Sequence, residues 1–178
     1  MTNPAPSAKP TDYLLTFHTY GTWLPGDDRG WHHRGDGAIP RPPAPGLRAW
    51  CERRMNAPPL WFSARQRRIV RDAFREPCAR RGFPVHALSV QTAHVHLVVT
   101  ATVAPEALMA SLKGWATRAL RSDGLAREQT IWAEHGSTRR LLSDERYDHT
   151  IGYTNDVRHR PEAPCHESDA RGERGDSG

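Results

Sequence analysis

The stretch PVHALSVQTAHVHLVVT (84–100) constrains this chain more than any other. Val95, Leu97 and Val99 alternate with His94 and His96. That is the period of two a β-strand imposes by sending successive side chains to opposite faces. A second strand-like run, PVHALSVQ (84–91), stands before it across a very short turn, so the two read as an antiparallel hairpin. One face of the second strand is apolar and demands a core. The other carries two imidazoles. The ordinary reading is a pair of half-exposed histidines; the sharper one is a grip on a divalent ion, with a further ligand supplied from elsewhere.

The remaining chain supplies partners for such a hairpin. DYLLTFHTY (12–20) reads as a first strand and GTWLPGDDRGW (21–31) as turns. From Arg34 to Pro59 the proline and glycine content argues against a helix, and a long surface loop is expected. Ser63 is an N-cap for SARQRRIVRDAFREPCARRG, where Ile69, Val70, Ala73 and Phe74 form an apolar stripe. Pro77 is expected to kink or end that helix and Gly82 to close it. In APEALMASLKGWATRALRSDG (104–124), Leu108, Leu112, Trp115 and Ala119 share a face, with Gly124 as the C-cap. STRRLLS (137–143) suits a short edge strand, and SDERYDHTIGYTND (143–156) a last helix capped by Ser143. Residues 1–11 and 157–178 are expected to be disordered, flanking one domain over 12–156. The order predicts an α+β, ferredoxin-like βαββαβ sandwich with an antiparallel sheet and an extra C-terminal helix bearing Tyr153. Its helices would cover one sheet face, leaving His94 and His96 on the open one.

Composition narrows the partners. The 178 residues suit a single domain, and no run of 18 or more apolar residues suggests a membrane span. The N-terminus lacks the regions of a signal peptide, so a cytoplasmic protein is expected. Cys51, Cys78 and Cys165 are scattered, with no paired spacing for a disulfide framework or a zinc knuckle. The net charge is +5, and 23 of the 25 basic residues are arginines, whose planar forks match phosphate. Such a body favours nucleic acid over membrane. Arg65, Arg67, Arg68, Arg71 and Arg75 crowd one predicted helix and are candidate phosphate contacts, against the plain alternative of a solvated face. A ferredoxin-like RNA-binding domain would want base-stacking aromatics on its central strands, and HVHLVVT has none.

On the last predicted helix His149, Tyr153 and Asp156 fall at i, i+4 and i+7, one face. HVHLVV resembles the His-hydrophobic-His signature of HUH endonucleases. FHTYGTWLPGDDRGW and IWAEHGSTRRLL, the latter ahead of the tyrosine-bearing helix, resemble the REP-associated, single-tyrosine transposases of the IS200-like family. The likeness runs from about Asp12 to Tyr153. It implies a metal-dependent nuclease and transesterase acting on single-stranded or hairpin DNA. Mg2+ or Mn2+ would be held by His94 and His96, and Tyr153 would be the nucleophile, forming a 5′-phosphotyrosine link. Relatives usually supply a third ligand, often glutamine, about a turn after the tyrosine. Here Val157 stands at the fourth position after it, leaving Asp156, Asn155 or His149 as substitutes. Tyr147 is the second candidate nucleophile. The resemblance leaves open whether the site forms within one chain or across a homodimer. The alternative is a relative that binds palindromic or single-stranded DNA without cutting it.

Overall fold

The computed structural model describes residues 9–31, 40–142, 150–152 and 154. Its elements are β1 (Thr11–Thr19), α1 (Pro45–Glu52), α2 (Ala64–Arg80), β2 (Val85–Val90), β3 (His94–Ala101), α3 (Pro105–Ser122) and β4 (Trp132–Arg140). The strands form one antiparallel sheet in the order β2-β3-β1-β4. Two βαβ units interleave in it, each helix carrying the chain over the strand between its own pair. This is the expected ferredoxin-like sandwich, and the predicted hairpin is β2–β3. β4 is an edge strand as expected, but it begins earlier, at Trp132.

Alternation decides which face is buried. Leu15 and Phe17 of β1 and Val95, Leu97 and Val99 of β3 are fully buried. They pack with Val70 and Phe74 of α2 and with Leu108, Leu112 and Leu120 of α3. α2 opens with a capping box in which Ser63 Oγ accepts from Gln66 N and the Gln66 side chain accepts from Ser63 N. Gly82 at φ +64° and Gly124 at φ +101° close α2 and α3, followed by the bonds Phe83 N to Cys78 O and Leu125 N to Leu120 O.

Three expectations are corrected. The loop expected over 34–59 contains α1. Its prolines cluster before the helix, and Pro45 occupies the first turn, where a missing N–H costs nothing. The stretch from Gly46 to Ala57 is free of proline, and Arg48 pairs with Glu52 one turn on. Nor does Pro77 end α2, which continues to Arg80 with Pro77 buried in the core. Finally, the second sheet face is not wholly open. Ala87, Val98 and Leu141 form a small buried cluster there, with Leu14 and Ile151 packed against it. Thr150–Gly152 and Thr154 are helical, in keeping with the predicted last helix; its remainder lies outside the described residues, as do most of the two expected disordered ends.

α1 is held to the domain through a close approach at Gly26. This glycine has φ +89°, and a Cβ there would lie 2.3 Å from Ala44 O and 2.7 Å from Arg48 N. Gly26→Ala therefore combines left-handed strain with a backbone clash and should cost about 1–3 kcal/mol. Gly82→Ala meets nothing within 4 Å and should lose less. Urea midpoints of the two variants check the order.

Candidate functional site

β1 and β3 pair without a break, and their outward side chains meet in register. His18 stands opposite His94, Thr16 opposite His96, and Leu14 opposite Val98. The result is a cluster of three imidazoles on one sheet face, with ring centroids 5.7 Å apart for His18–His94 and 4.9 Å for His94–His96. The sequence reading picked out His94 and His96 but missed His18. The signal was present: LLTFHT alternates, and its histidine falls on the same parity as Thr16, opposite to buried Phe17.

The cluster is fixed in place from two sides. Thr16 Oγ1 lies 2.9 Å from His96 Nδ1 across the strands, which sets that ring's rotation. The 20–31 loop braces the other end. Trp23 packs edge-on to His18 at 4.5 Å and donates from Nε1 to Gly30 O. The Thr19 and Thr22 hydroxyls both lie within reach of Ala93 O, the carbonyl just before His94, at 3.0 and 3.2 Å. Arg29 grips buried Asp27 with Nε and Nη2 and also donates to Thr22 O. Its side-chain hydrogen bonds, and then its charge, hold the Asp27 carboxyl below the usual carboxylate range.

Burial sets the charge state of the rings. His18 is pushed down to about 3, first by desolvation and then by the neighbouring His94, His96, Arg29 and Lys113. His96 is lowered to about 4 by desolvation and by His94. At neutral pH both are uncharged, the state in which an imidazole nitrogen can ligate. Among the described residues no set of three His, Cys, Asp or Glu side chains has the geometry to hold a metal by itself. His94 and His96 could thus contribute to a centre completed from outside the described residues or by a substrate.

The remaining predicted site residues fall in two places. Tyr153, His149, Asp156, Tyr147 and Asn155 lie outside the described residues. Arg65, Arg67, Arg68, Arg71 and Arg75 lie on α2, in the helical layer on the far side of the sheet from the histidines. The fold does not bring them to the histidine cluster. Arg65 is bound by Asp123 beyond the end of α3, with Nε and Nη2 on its carboxylate at 2.9 and 2.5 Å, whereas Arg68 and Arg75 are exposed. No helix among the described residues is long and apolar enough to cross a membrane.

The family model described as transposase IS200 like matches residues 59–146, which take in α2, the β2–β3 hairpin with both histidines, α3 and β4. Over this stretch the chain is similar to the IS200-like transposase family. Among solved structures, the fold seen here is similar to that of a REP-associated tyrosine transposase bound to a REP hairpin. The TM-score is 0.50 at 15% identity, covering 89% of this chain and 74% of that one. A candidate transposase from Deinococcus radiodurans R1 is similar at a TM-score of 0.45 and 16% identity, over 87% of this chain and 96% of that one. No curated protein sequence matches the chain.

The neutral rings make the fold acid-sensitive. With folded values of about 3 and 4 against an ordinary 6.5, the unfolded chain takes up protons first as pH falls. Stability from these groups is complete above about pH 6.5 and drains away toward pH 4. The loss by pH 5 should reach up to about 2 kcal/mol per ring. Urea midpoints at pH 7.5 and 5, in chelator, should diverge for wild type and converge for His18→Gln/His96→Gln.

Proposed function

We propose that this protein is a transposase that nicks and rejoins single-stranded or hairpin DNA through a tyrosine-linked intermediate, with a divalent ion at His94 and His96. The observation carrying the reading is the location of Ile151. It packs on the histidine face against the cluster containing Val98, and Val98 is the next outward residue after His96 on β3. Tyr153 follows Ile151 by two positions in the sequence. The same sheet face thus receives the two histidines and the chain segment next to the candidate nucleophile.

The chemistry follows from these groups. The Tyr153 phenol, with an ordinary pKa near ~10, needs a base or a nearby cation to attack at neutral pH. Its oxygen would form a bond to the scissile phosphorus while the bond to the 3′ oxygen breaks. The 3′ oxygen leaves as a hydroxyl, and the 5′ phosphate stays on the tyrosine. A divalent ion at the histidines would polarise that phosphate and steady the leaving oxygen. Two imidazoles suit Mn2+ better than Mg2+, which prefers an all-oxygen shell. Thr16 would act as a positioning residue for His96. The α2 arginines would serve DNA phosphates away from the histidines. Binding of a REP hairpin by the structural neighbour supports hairpin DNA as the substrate class.

His94→Ala or His96→Ala should abolish Mn2+-dependent cleavage of a hairpin substrate while leaving the circular dichroism spectrum intact. Retained cleavage in both would overturn the metal assignment. Tyr153→Phe should still bind the hairpin but yield no covalent protein–DNA adduct on a denaturing gel, whereas Tyr147→Phe still does. An absence of adduct in wild type with either metal would favour the binding-only alternative. If the arginines meet phosphate, Arg68→Ala/Arg75→Ala should lower the log–log salt slope of single-strand binding by about 0.7 for each phosphate no longer neutralised.

A further inference from the structure

The loop that braces His18 also forms one wall of an open cavity of about 880 Å3, lined by Thr22, Asp28 and Arg29 of that loop, Arg48 and Glu52 of α1, and Trp61. Its size lies in the range of small-ligand sites, roughly 300–1,000 Å3. Trp61 is 49% exposed, an indole that burial in the core does not explain. The cations of the lining are already matched. Arg48 donates to Asp28 at 2.9 Å and to Glu52 at 3.0 Å, and Arg29 is committed to buried Asp27. With three carboxylates against two guanidinium groups, the lining does not select phosphate. It selects a flat group that can stack and that carries N–H donors.

A nucleobase with an exocyclic amine has both properties. Base–aromatic stacking is tolerant of sequence because every base has a π-face, and a carboxylate accepts from an amine such as cytosine N4. The cavity also adjoins the histidine cluster. Trp23 of the same loop touches His18, Arg29 stands 6.0 Å from the Trp23 ring centroid, and its charge reaches His18. We propose that this cavity receives one unstacked, amino-bearing base of single-stranded DNA, stacked on Trp61 with its amine on Asp28 or Glu52. The proposal rests on the transposase reading and adds a base-reading subsite to it.

Three dye-labelled 12-mers test it on the full chain: oligodeoxycytidine, oligothymidine and a fully abasic strand with the same phosphates. Wild type should prefer the cytidine strand to the abasic one by about tenfold, the scale of one stacked base. Trp61→Ala should erase most of that ratio while leaving abasic-strand affinity unchanged. Trp61→Phe should keep part of it, and Trp50→Ala, at the other exposed indole, all of it. Asp28→Asn/Glu52→Gln should reduce the preference for cytidine over thymidine. A cytidine-to-abasic ratio untouched by Trp61→Ala overturns the subsite, as does equal weakening toward all three strands. If wild type binds none of them, the subsite is overturned; only if it also fails to bind hairpin DNA does the transposase reading fall, so the two failures are distinguishable.

Discussion

The unbroken pairing of β1 with β3 is the constraint on which the rest of the structure depends. From Thr11 opposite Ala101 to His18 opposite His94, every residue has one partner and one face. A slip of one residue on either strand would turn its whole apolar set outward and its polar set into the core. Phe17 would lose its place against Phe74 and Trp132, and Thr16 would no longer meet His96. Core and candidate site are therefore specified by the same register. The burial of Leu15, Phe17, Val95, Leu97 and Val99 holds the imidazoles in line on the opposite face.

The 20–31 loop carries that order beyond the sheet. Asp27 pairs with Arg29 and Trp23 with Gly30 inside it, while the Thr22 hydroxyl, with that of Thr19 at the end of β1, lies near Ala93 O. The threonine contacts reach the residue before His94, so the loop acts as a strut. The same strut seats α1, whose helix buries none of its own residues. α1 is located by the approach of Gly26 to Ala44 and Arg48 and by the Arg48–Asp28 ion pair rather than by a core of its own. Helix and loop together stand outside a simple two-layer plan.

Most of the sandwich was legible in the sequence because its signals are local and strong. Strict alternation marked β3, Ser63 and Gly82 bracketed α2, and the apolar stripe of α3 was continuous. α1 was not legible, because proline content was read over the whole segment. The position of each proline mattered more, with Pro45 at the one place a helix accepts it. Pro77 misled for a similar reason: near the C-terminal end of α2, the lost donor interrupts little. At the site, His94 and His96 stood out as a pair within one strand. His18 did not, since its membership depends on a pairing between residues 76 positions apart in the chain, and no local period encodes that. The α2 arginines were legible as a cluster, but the side of the sheet they occupy follows only from the packing of Val70 and Phe74.

The strand order also sets limits on dissecting the chain. The family match begins at residue 59, after β1 has ended, yet β1 is a central strand lying between β3 and β4. Cut at that boundary, the fragment would hold a β2–β3 hairpin and a solitary β4 with nothing to join them, and Phe74 and Trp132 would face a gap where Phe17 belongs. The most recognisable half of the protein is therefore not a module. Any excision, fusion or permutation must carry residues 11–19 with it, and the polypeptide that brings the first histidine is also the seam along which the sheet is closed.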